Sequence, residues 1–310
     1  MKLHPTMDIP SHLVPYARRV ALSHYDIFYY DAGSATAPIL LLIHGLGDEA
    51  DTWRSIIPQL ARAYRVIAPD LPGFGRSSGP TSGYSLTFFA RTMAEFIEKL
   101  GLPSVTLVGH SLGAMIAQRL SIGLPGVVQQ QILIGGCLPI KRHFPRLEQW
   151  TLLLPGIGEL VLAGMQRSQE LAFLSLQPFY ANLYALPARE QRFLRRRVWA
   201  RIHHPIQRRA TLSALRWLAI DAVFRCHRYL DLVNQCTTPT VLIAGEHDLI
   251  VDGEMIEATE VLLEQRALYI HLERCGHMPH QERPDQIVNL IAELVPSPLH
   301  DEYQYLHSDS

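Results

Sequence analysis

A serine stands between two glycines in the stretch SVTLVGHSLGAMIAQ, residues 104–118. The apolar run before Gly109 is typical of a buried strand, and the residues after Gly113 are typical of a helix. A chain that turns so abruptly from strand to helix leaves no space for neighbouring Cβ atoms, which explains a glycine on each side. The pattern predicts a nucleophile elbow with Ser111 exposed at its tip. A glycine-rich turn with a helix-capping serine is the alternative interpretation.

A serine hydroxyl becomes nucleophilic when a base takes its proton, and a carboxylate must orient that base. The chain has 15 histidines, so the candidate base must be chosen by its position relative to the predicted strands. His277 follows a predicted strand, where the chain returns to the carboxyl edge of the sheet. Asp248 directly follows another strand, TVLIAG, and lies between Ser111 and His277 in chain order. Asp252 is a nearby rival, but its place at the start of a helix suits an N-cap.

These residues predict acyl transfer with Ser111 as nucleophile, His277 as general base and Asp248 as orienting acid. For His277 the alternative is a loop histidine that only packs. The transition state also needs donors for the developing oxyanion, and each donor contributes roughly 3 to 4 kcal/mol. We expect these donors to be the backbone N–H of Leu112, next to the serine, and that of Leu46 in the HGLG stretch after strand PILLLIHG.

Short apolar strands alternate with helices around these residues. We expect a two-strand start with a tight turn near His24, and Ser85 as the cap of an amphipathic helix. Such alternation predicts right-handed βαβ units and a largely parallel sheet. The expected strands lie within 18–31, 38–45, 65–73, 104–110, 129–136, 237–248 and 266–273, and the helices within 51–63, 84–101, 111–123, 252–265 and 284–294.

The alternation stops for about a hundred residues in the middle of the chain. Residues 137–235 hold 15 Arg plus Lys against 6 Asp plus Glu, which leaves 13 against 23 for the rest, so the net charges are +9 and −10. Helical periodicity dominates this part, which predicts an inserted helical segment. We expect its basic residues to form a solvated helix face. Attraction of acidic substrates or lipid head groups is the alternative, and nucleic acid is disfavoured because no nucleic-acid module accompanies the charge.

Composition narrows the class of protein further. With 310 residues and 48% hydrophobic content, the chain can bury a sizeable core. No apolar stretch reaches the roughly 20 residues of a membrane span, and the N-terminus lacks a signal-peptide pattern. The four cysteines show no paired spacing, so we expect reduced thiols and a cytoplasmic location.

Two other site types are disfavoured. The stretch GFGRSSG, residues 73–79, has the wrong glycine spacing for a phosphate loop. His277 and His280 are three residues apart, but the proposed chemistry needs His277 as a neutral base, so we expect no metal there. The prediction is therefore a protein without a cofactor or a metal.

The ordered set HGLGDEADTW, DLPGFGRSS, GHSLG, GEHDLIV and GHMPHQERP resembles the α/β-hydrolase superfamily with a helical cap. The resemblance covers nearly all of residues 20–295 outside the cap. It implies an α/β-hydrolase fold, with a mostly parallel eight-stranded sheet flanked by helices. The core would comprise residues 1–136 and 237–310, and the cap residues 137–236. Ser111, Asp248 and His277 match the triad positions, and Leu46 and Leu112 match the oxyanion hole.

Serine at the nucleophile position disfavours haloalkane dehalogenase and epoxide hydrolase chemistry, since those members of the fold carry Asp there. An ester is the default substrate because its hydrolysis requires only a nucleophile, a base, an orienting acid and oxyanion donors, all of which the sequence supplies. We expect a carboxylesterase that takes a small-molecule ester, with an apolar acyl group under the cap. Carbon–carbon hydrolysis, acyl transfer, perhydrolysis and a non-catalytic ligand sensor remain as alternatives with the same residues.

Overall fold

The computed structural model describes residues 7–142, 151–251 and 253–297, apart from the side chain of residue 265. Within these ranges eight strands form one sheet, in the order β1-β2-β4-β3-β5-β6-β7-β8. The strands are β1 (Ala17–Ala21), β2 (Asp26–Ala32), β3 (Ile39–Ile43), β4 (Arg65–Pro69), β5 (Val105–His110), β6 (Val128–Ile134), β7 (Thr240–Gly245) and β8 (Ala267–Leu272).

Only the first strands of the sheet run antiparallel. β1 pairs with β2 and β2 with β4 in antiparallel fashion, and the strands from β4 to β8 are parallel. The predicted two-strand start and the mostly parallel sheet are confirmed. Because parallel strands end at the same edge, the loops after β3, β5, β7 and β8 leave the sheet on one side.

Helices cover both faces of this sheet. Those of the core are α1 (Ile57–Leu60), α2 (Leu86–Lys99), α3 (Leu112–Gly123), α9 (Gly253–Leu263), α10 (Pro279–Glu282) and α11 (Pro284–Leu294). Ser85 caps α2 as predicted, since its side chain accepts a hydrogen bond from the Phe88 N–H. Alternate residues of β3 serve the two faces: Leu41 and Ile43 belong to one apolar cluster, and Leu40 and Leu42 belong to the other.

The part of the chain that the structure describes between β6 and β7 has helices joined by turns and loops, and no strand. The α-helices are α4 (Ile157–Met165), α5 (Gln169–Leu174), α6 (Ala188–His203), α7 (Pro205–Phe224) and α8 (Cys226–Asn234). Helix α7 begins with Pro205, a residue that suits the first turn because the N–H that it lacks would have no intrahelical acceptor there. None of the helices that the structure describes combines the length and the apolar character required to cross a membrane.

The helix expected over residues 51–63 is wrong. The structure has a 3₁₀ turn, Ala50–Trp53, and then the four-residue helix α1 with Pro58 in its first turn. Tertiary hydrogen bonds replace the helical ones in this stretch. The Ala50 N–H donates to the buried carboxylate of Asp70, and the Tyr30 hydroxyl donates to the carboxylate of Asp51. Helical periodicity in the sequence cannot register such contacts.

The glycines of the elbow sit against backbone. A Cβ added at Gly113 would lie 2.0 Å from the carbonyl oxygen of Ile43 in β3, and one at Gly109 would lie 2.3 Å from the carbonyl oxygen of Gly113. Helix α3 therefore crosses β3 at a distance that only glycine permits. Gly123, at the other end of the same helix, would meet nothing within 4 Å.

We expect Gly113→Ala to lower the free energy of unfolding by about 3 kcal/mol or more, because the backbone must shift to admit the methyl group. Gly123→Ala is the matched control on the same helix, and it should be neutral or stabilise by up to about 1 kcal/mol. Urea unfolding followed by circular dichroism measures both. Equal stabilities of the two variants would contradict the close approach.

Candidate active site

Ser111 occupies a strained turn at the carboxyl end of β5. Its backbone has φ 53° and ψ −117°, and the dihedral φ lies in the left-handed region that non-glycine residues rarely adopt. The Ser111 N–H donates to the carbonyl oxygen of Ile134 at 2.8 Å, which ties the turn to β6. Such strain persists only where the surrounding structure imposes it, and it is typical of functional turns.

His277 and Asp248 form a buried pair on the loops that follow β8 and β7. Nδ1 of His277 lies 2.8 Å from Oδ2 of Asp248, and the two side chains are 1% and 5% exposed. The other carboxylate oxygen accepts the N–H groups of Ile250 and Val251 at 2.8 and 3.0 Å. The rival acid Asp252 lies outside the described residues.

Burial alone would raise the pKa of Asp248. The hydrogen bond and charge of His277 and the two backbone amides outweigh it, so the pKa of this carboxyl lies below its ordinary value. The carboxylate is therefore ionised at neutral pH and only accepts hydrogen bonds. Nδ1 of His277 must be the donor, which leaves Nε2 with a free lone pair for proton abstraction.

Two consecutive glycines after β6 show how near Ser111 and His277 lie to each other. A Cβ at Gly135 would lie 3.1 Å from Nδ1 of His277, and a Cβ at Gly136 would lie 3.0 Å from Cα of Ser111. The structure thus brings all three predicted triad residues to one end of the parallel sheet. Phe179, from the helical segment, faces the same imidazole with ring centroids 5.8 Å apart.

Each of the two predicted oxyanion donors belongs to a turn that contains or contacts Ser111. Leu112 is the first residue of α3, so its N–H lacks an intrahelical acceptor. Leu46 is the second residue of a turn that closes with a hydrogen bond from the Asp48 N–H to the Gly45 carbonyl at 3.3 Å. A Cβ at Gly45 would lie 3.2 Å from Cβ of Ser111, so this turn begins against the serine.

Two further buried histidines, His110 and His280, pack near His277, and the sequence analysis assigns no catalytic role to either. Nε2 of His110 lies 2.8 Å from the carbonyl oxygen of His277; since a carbonyl only accepts, His110 is the donor. His280 packs on His110 with ring centroids 4.6 Å apart, and its Nε2 lies 2.7 Å from the Thr52 hydroxyl. Burial, together with the charge of His277, lowers the pKa of His110 to about 3, and burial also places the pKa of His280 well below its ordinary value.

The expectation that the basic residues of the insertion form a solvated face is wrong for two of them. Arg197 is 5% exposed and contacts Glu49 and Asp51, while Arg201 contacts Asp48 and Glu49. Arg192 and Arg196 of the same helix do remain exposed, as the helical spacing predicts. The one signal in the sequence was the opposite net charge of the insertion and the core.

A cavity of about 310 Å³ lies beside α7, away from the triad. It is bounded by Leu212 and Trp217 of that helix, by the loop at Thr81 and Ser82, and by Glu159 of α4. Its volume falls at the lower end of the range for small-molecule sites. Ser111, Asp248 and His277 do not line this cavity, so it is separate from the candidate active site.

The family model of the alpha/beta hydrolase fold matches residues 38–284. The chain therefore belongs to the α/β-hydrolase family, in agreement with the sheet order and the elbow described above.

Curated relatives within this family differ in their reactions. An uncharacterized protein of Mycobacterium tuberculosis is 40% identical over 277 residues, which cover 83% of this chain and 75% of the relative. Epoxide hydrolase 4 of Mus musculus is 25% identical over 286 residues, covering 88% and 77%. A pimeloyl-[acyl-carrier protein] methyl ester esterase of Aeromonas hydrophila is 28% identical over 266 residues, covering 83% and 95%. Relatedness supports hydrolase activity and leaves the bond that is cleaved open.

We expect acidification to destabilise the protein through His110 and His280. Their pKa values are lowered in the folded state, so the unfolded chain binds more protons below its pKa of about 6.5. This contribution to stability is complete above pH 6.5 and is lost as the pH falls below that value, for His110 down to about pH 3, by up to about 1.4 kcal/mol per pH unit for each histidine.

Urea unfolding between pH 7.5 and 4.5 measures this slope. His280→Gln should make it shallower by as much as one proton, and His24→Gln, at an exposed position, should leave it unchanged. Identical slopes for wild type and His280→Gln would show that His280 takes up a proton in the folded protein.

Proposed function

We propose that the protein is a serine hydrolase that cleaves carboxylic esters through an acyl-enzyme on Ser111. The observation that carries the proposal is the hydrogen bond between Asp248 and Nδ1 of His277, which leaves Nε2 free to act as a base at the sheet edge where Ser111 is held in a strained elbow. The serine at this position favours an ester over an epoxide, because the epoxide hydrolases of this fold that the motifs resemble carry Asp there.

The reaction would proceed in two halves. Nε2 of His277 takes the proton of the Ser111 hydroxyl while Oγ attacks the ester carbonyl, and the N–H groups of Leu46 and Leu112 stabilise the oxyanion. His277 then gives its proton to the departing alcohol. In the second half, His277 activates water, which attacks the acyl-enzyme and releases the acid and the free serine.

We further propose that residues 137–236 form a lid over this site, between core segments 1–136 and 237–310. Two contacts support this: Phe179 packs on His277, and Nε2 of Gln207 in α7 donates to the carbonyl oxygen of Gly47 at 3.3 Å. An aromatic wall beside the base suits an apolar acyl group. The four cysteines are free thiols, which supports a reducing compartment such as the cytoplasm.

We expect wild type to hydrolyse p-nitrophenyl esters between acetate and dodecanoate with a pre-steady-state burst, and Ser111→Ala to lose turnover to background, roughly a millionfold in kcat. Ser34→Ala, at an exposed loop position, is the control and should behave as wild type. The acyl chain length that gives the highest kcat/KM indicates the size of the acyl pocket. Inert wild type across the series would refute simple ester hydrolysis and direct the search to carbon–carbon substrates or ligand binding.

Asp248→Asn should lower kcat by about a thousandfold to ten-thousandfold, because an amide can donate to Nδ1 and thereby favours the wrong tautomer of His277. KM should change little. Asp252→Asn is the comparison that separates the two acids, and we expect it to retain most of the activity. A large loss in Asp252→Asn with an active Asp248→Asn would assign the orienting role to the rival.

A further inference from the structure

Arginines of helix α6 hold the loop that carries Leu46. Nε and Nη2 of Arg201 lie 2.5 and 2.7 Å from the two carboxylate oxygens of Glu49, and Nη2 also contacts Asp48. Arg197 adds a 3.2 Å contact from its Nε to Glu49 and a contact to Asp51. One face of α6 is thus paired with three acids of the β3 loop, Asp48, Glu49 and Asp51, and we define this loop as residues 44–51.

These pairs are almost fully withdrawn from water. The side chains of Glu49 and Asp51 are 0% exposed, and those of Asp48 and Arg201 are 8% and 12% exposed. A buried carboxylate without a partner is strongly destabilising. Asp51 also has a partner in the core, Arg76, but the ion pairs that the structure describes for Asp48 and Glu49 come from the arginines of α6, so these two acids depend on α6 for their buried position. The planar guanidinium of Arg201 fixes Glu49 in two places, which a point charge would not do.

The paired acids end the turn that presents Leu46. The turn runs from Gly45 to Asp48, and the positive φ of Gly47, 72°, is the conformation required at the third residue of a type II turn. The Glu49 N–H donates to Oδ1 of Asp48 at 2.9 Å, which couples the two acids that Arg201 holds. One end of the turn therefore rests on Ser111 through Gly45, and the other end is fixed by α6.

We propose that Arg201 is a positioning residue that fixes the direction of the Leu46 N–H, so that the oxyanion hole is complete only when α6 is docked on the core. The inference rests on the proposed function in one respect, that Leu46 donates to an oxyanion. When the helical segment docks on the core through α6, the Leu46 N–H takes its place beside that of Leu112, so docking and completion of the oxyanion hole occur together. A lid that opens at α6 would release the donor together with the substrate.

The experiment compares Arg201→Ala and Arg201→Lys with Arg196→Ala, an exposed arginine of the same helix. Hydrogen–deuterium exchange of the amides of residues 44–51 reports on the loop without reference to any reaction. Turnover of the best p-nitrophenyl ester gives kcat and KM separately. Inhibition by an alkyl boronic acid, which forms a tetrahedral adduct on a nucleophilic serine, reports on stabilisation of the oxyanion.

We expect Arg201→Ala to accelerate exchange in residues 44–51 by about tenfold or more and to lower kcat by roughly ten- to a hundredfold, with KM within about twofold of wild type. Boronic acid affinity should fall in parallel with kcat. Arg201→Lys keeps the charge and loses the two-point contact, so its values should be intermediate. Arg196→Ala should match wild type throughout.

Different outcomes separate this inference from the proposed function. A lower melting temperature of Arg201→Ala with unchanged kcat would show a merely structural role and overturn the inference. Equal exchange of residues 44–51 in the Arg201 and Arg196 variants would overturn it whatever the turnover. If wild type cleaves no ester, the proposed function fails, and the exchange comparison alone decides whether Arg201 fixes the loop.

Discussion

The contact of α3 with β3 is the constraint on which the rest of the site depends. There is no space for a Cβ at Gly109 or Gly113, so the helix starts directly against the strand and forces the residue between them into a positive φ. That strain raises Ser111 above the sheet and points the first amides of α3 toward the same place. The turn that holds Leu46 can then begin against the serine, at Gly45.

The imidazole of His277 is fixed from two directions. Asp248 holds its Nδ1, and His110 donates to its backbone carbonyl, so ring orientation and loop position are set by separate hydrogen bonds. Burial lowers the pKa of both His110 and His280, so these two rings are neutral at physiological pH and act as hydrogen-bonding and packing groups.

The sequence predicts those parts of the fold that depend on local signals. Alternating apolar strands, the Ser85 cap and the helix beginning at Pro284 are encoded within a few residues, and the structure confirms them. The helix over residues 51–63 failed because Asp51 and its neighbours are held by distant groups. Arg197 pairs with Asp51 across 146 residues, and Arg201 pairs with Asp48 across 153. Separations of this kind leave no periodicity in the sequence.

The ion pairs of α6 also impose an order on folding. The strands β1 to β5 and the β3 loop are made before the chain reaches residue 197, so during synthesis the acids at positions 48, 49 and 51 have no arginine from α6. Asp51 already has Tyr30 and Arg76 as partners, but Asp48 and Glu49 stay hydrated until the helical segment has been translated, since burial of unpaired carboxylates is too unfavourable. The first strands of the sheet can therefore pair early, but the loop beside the serine takes its final shape only after α6 has been added to the chain.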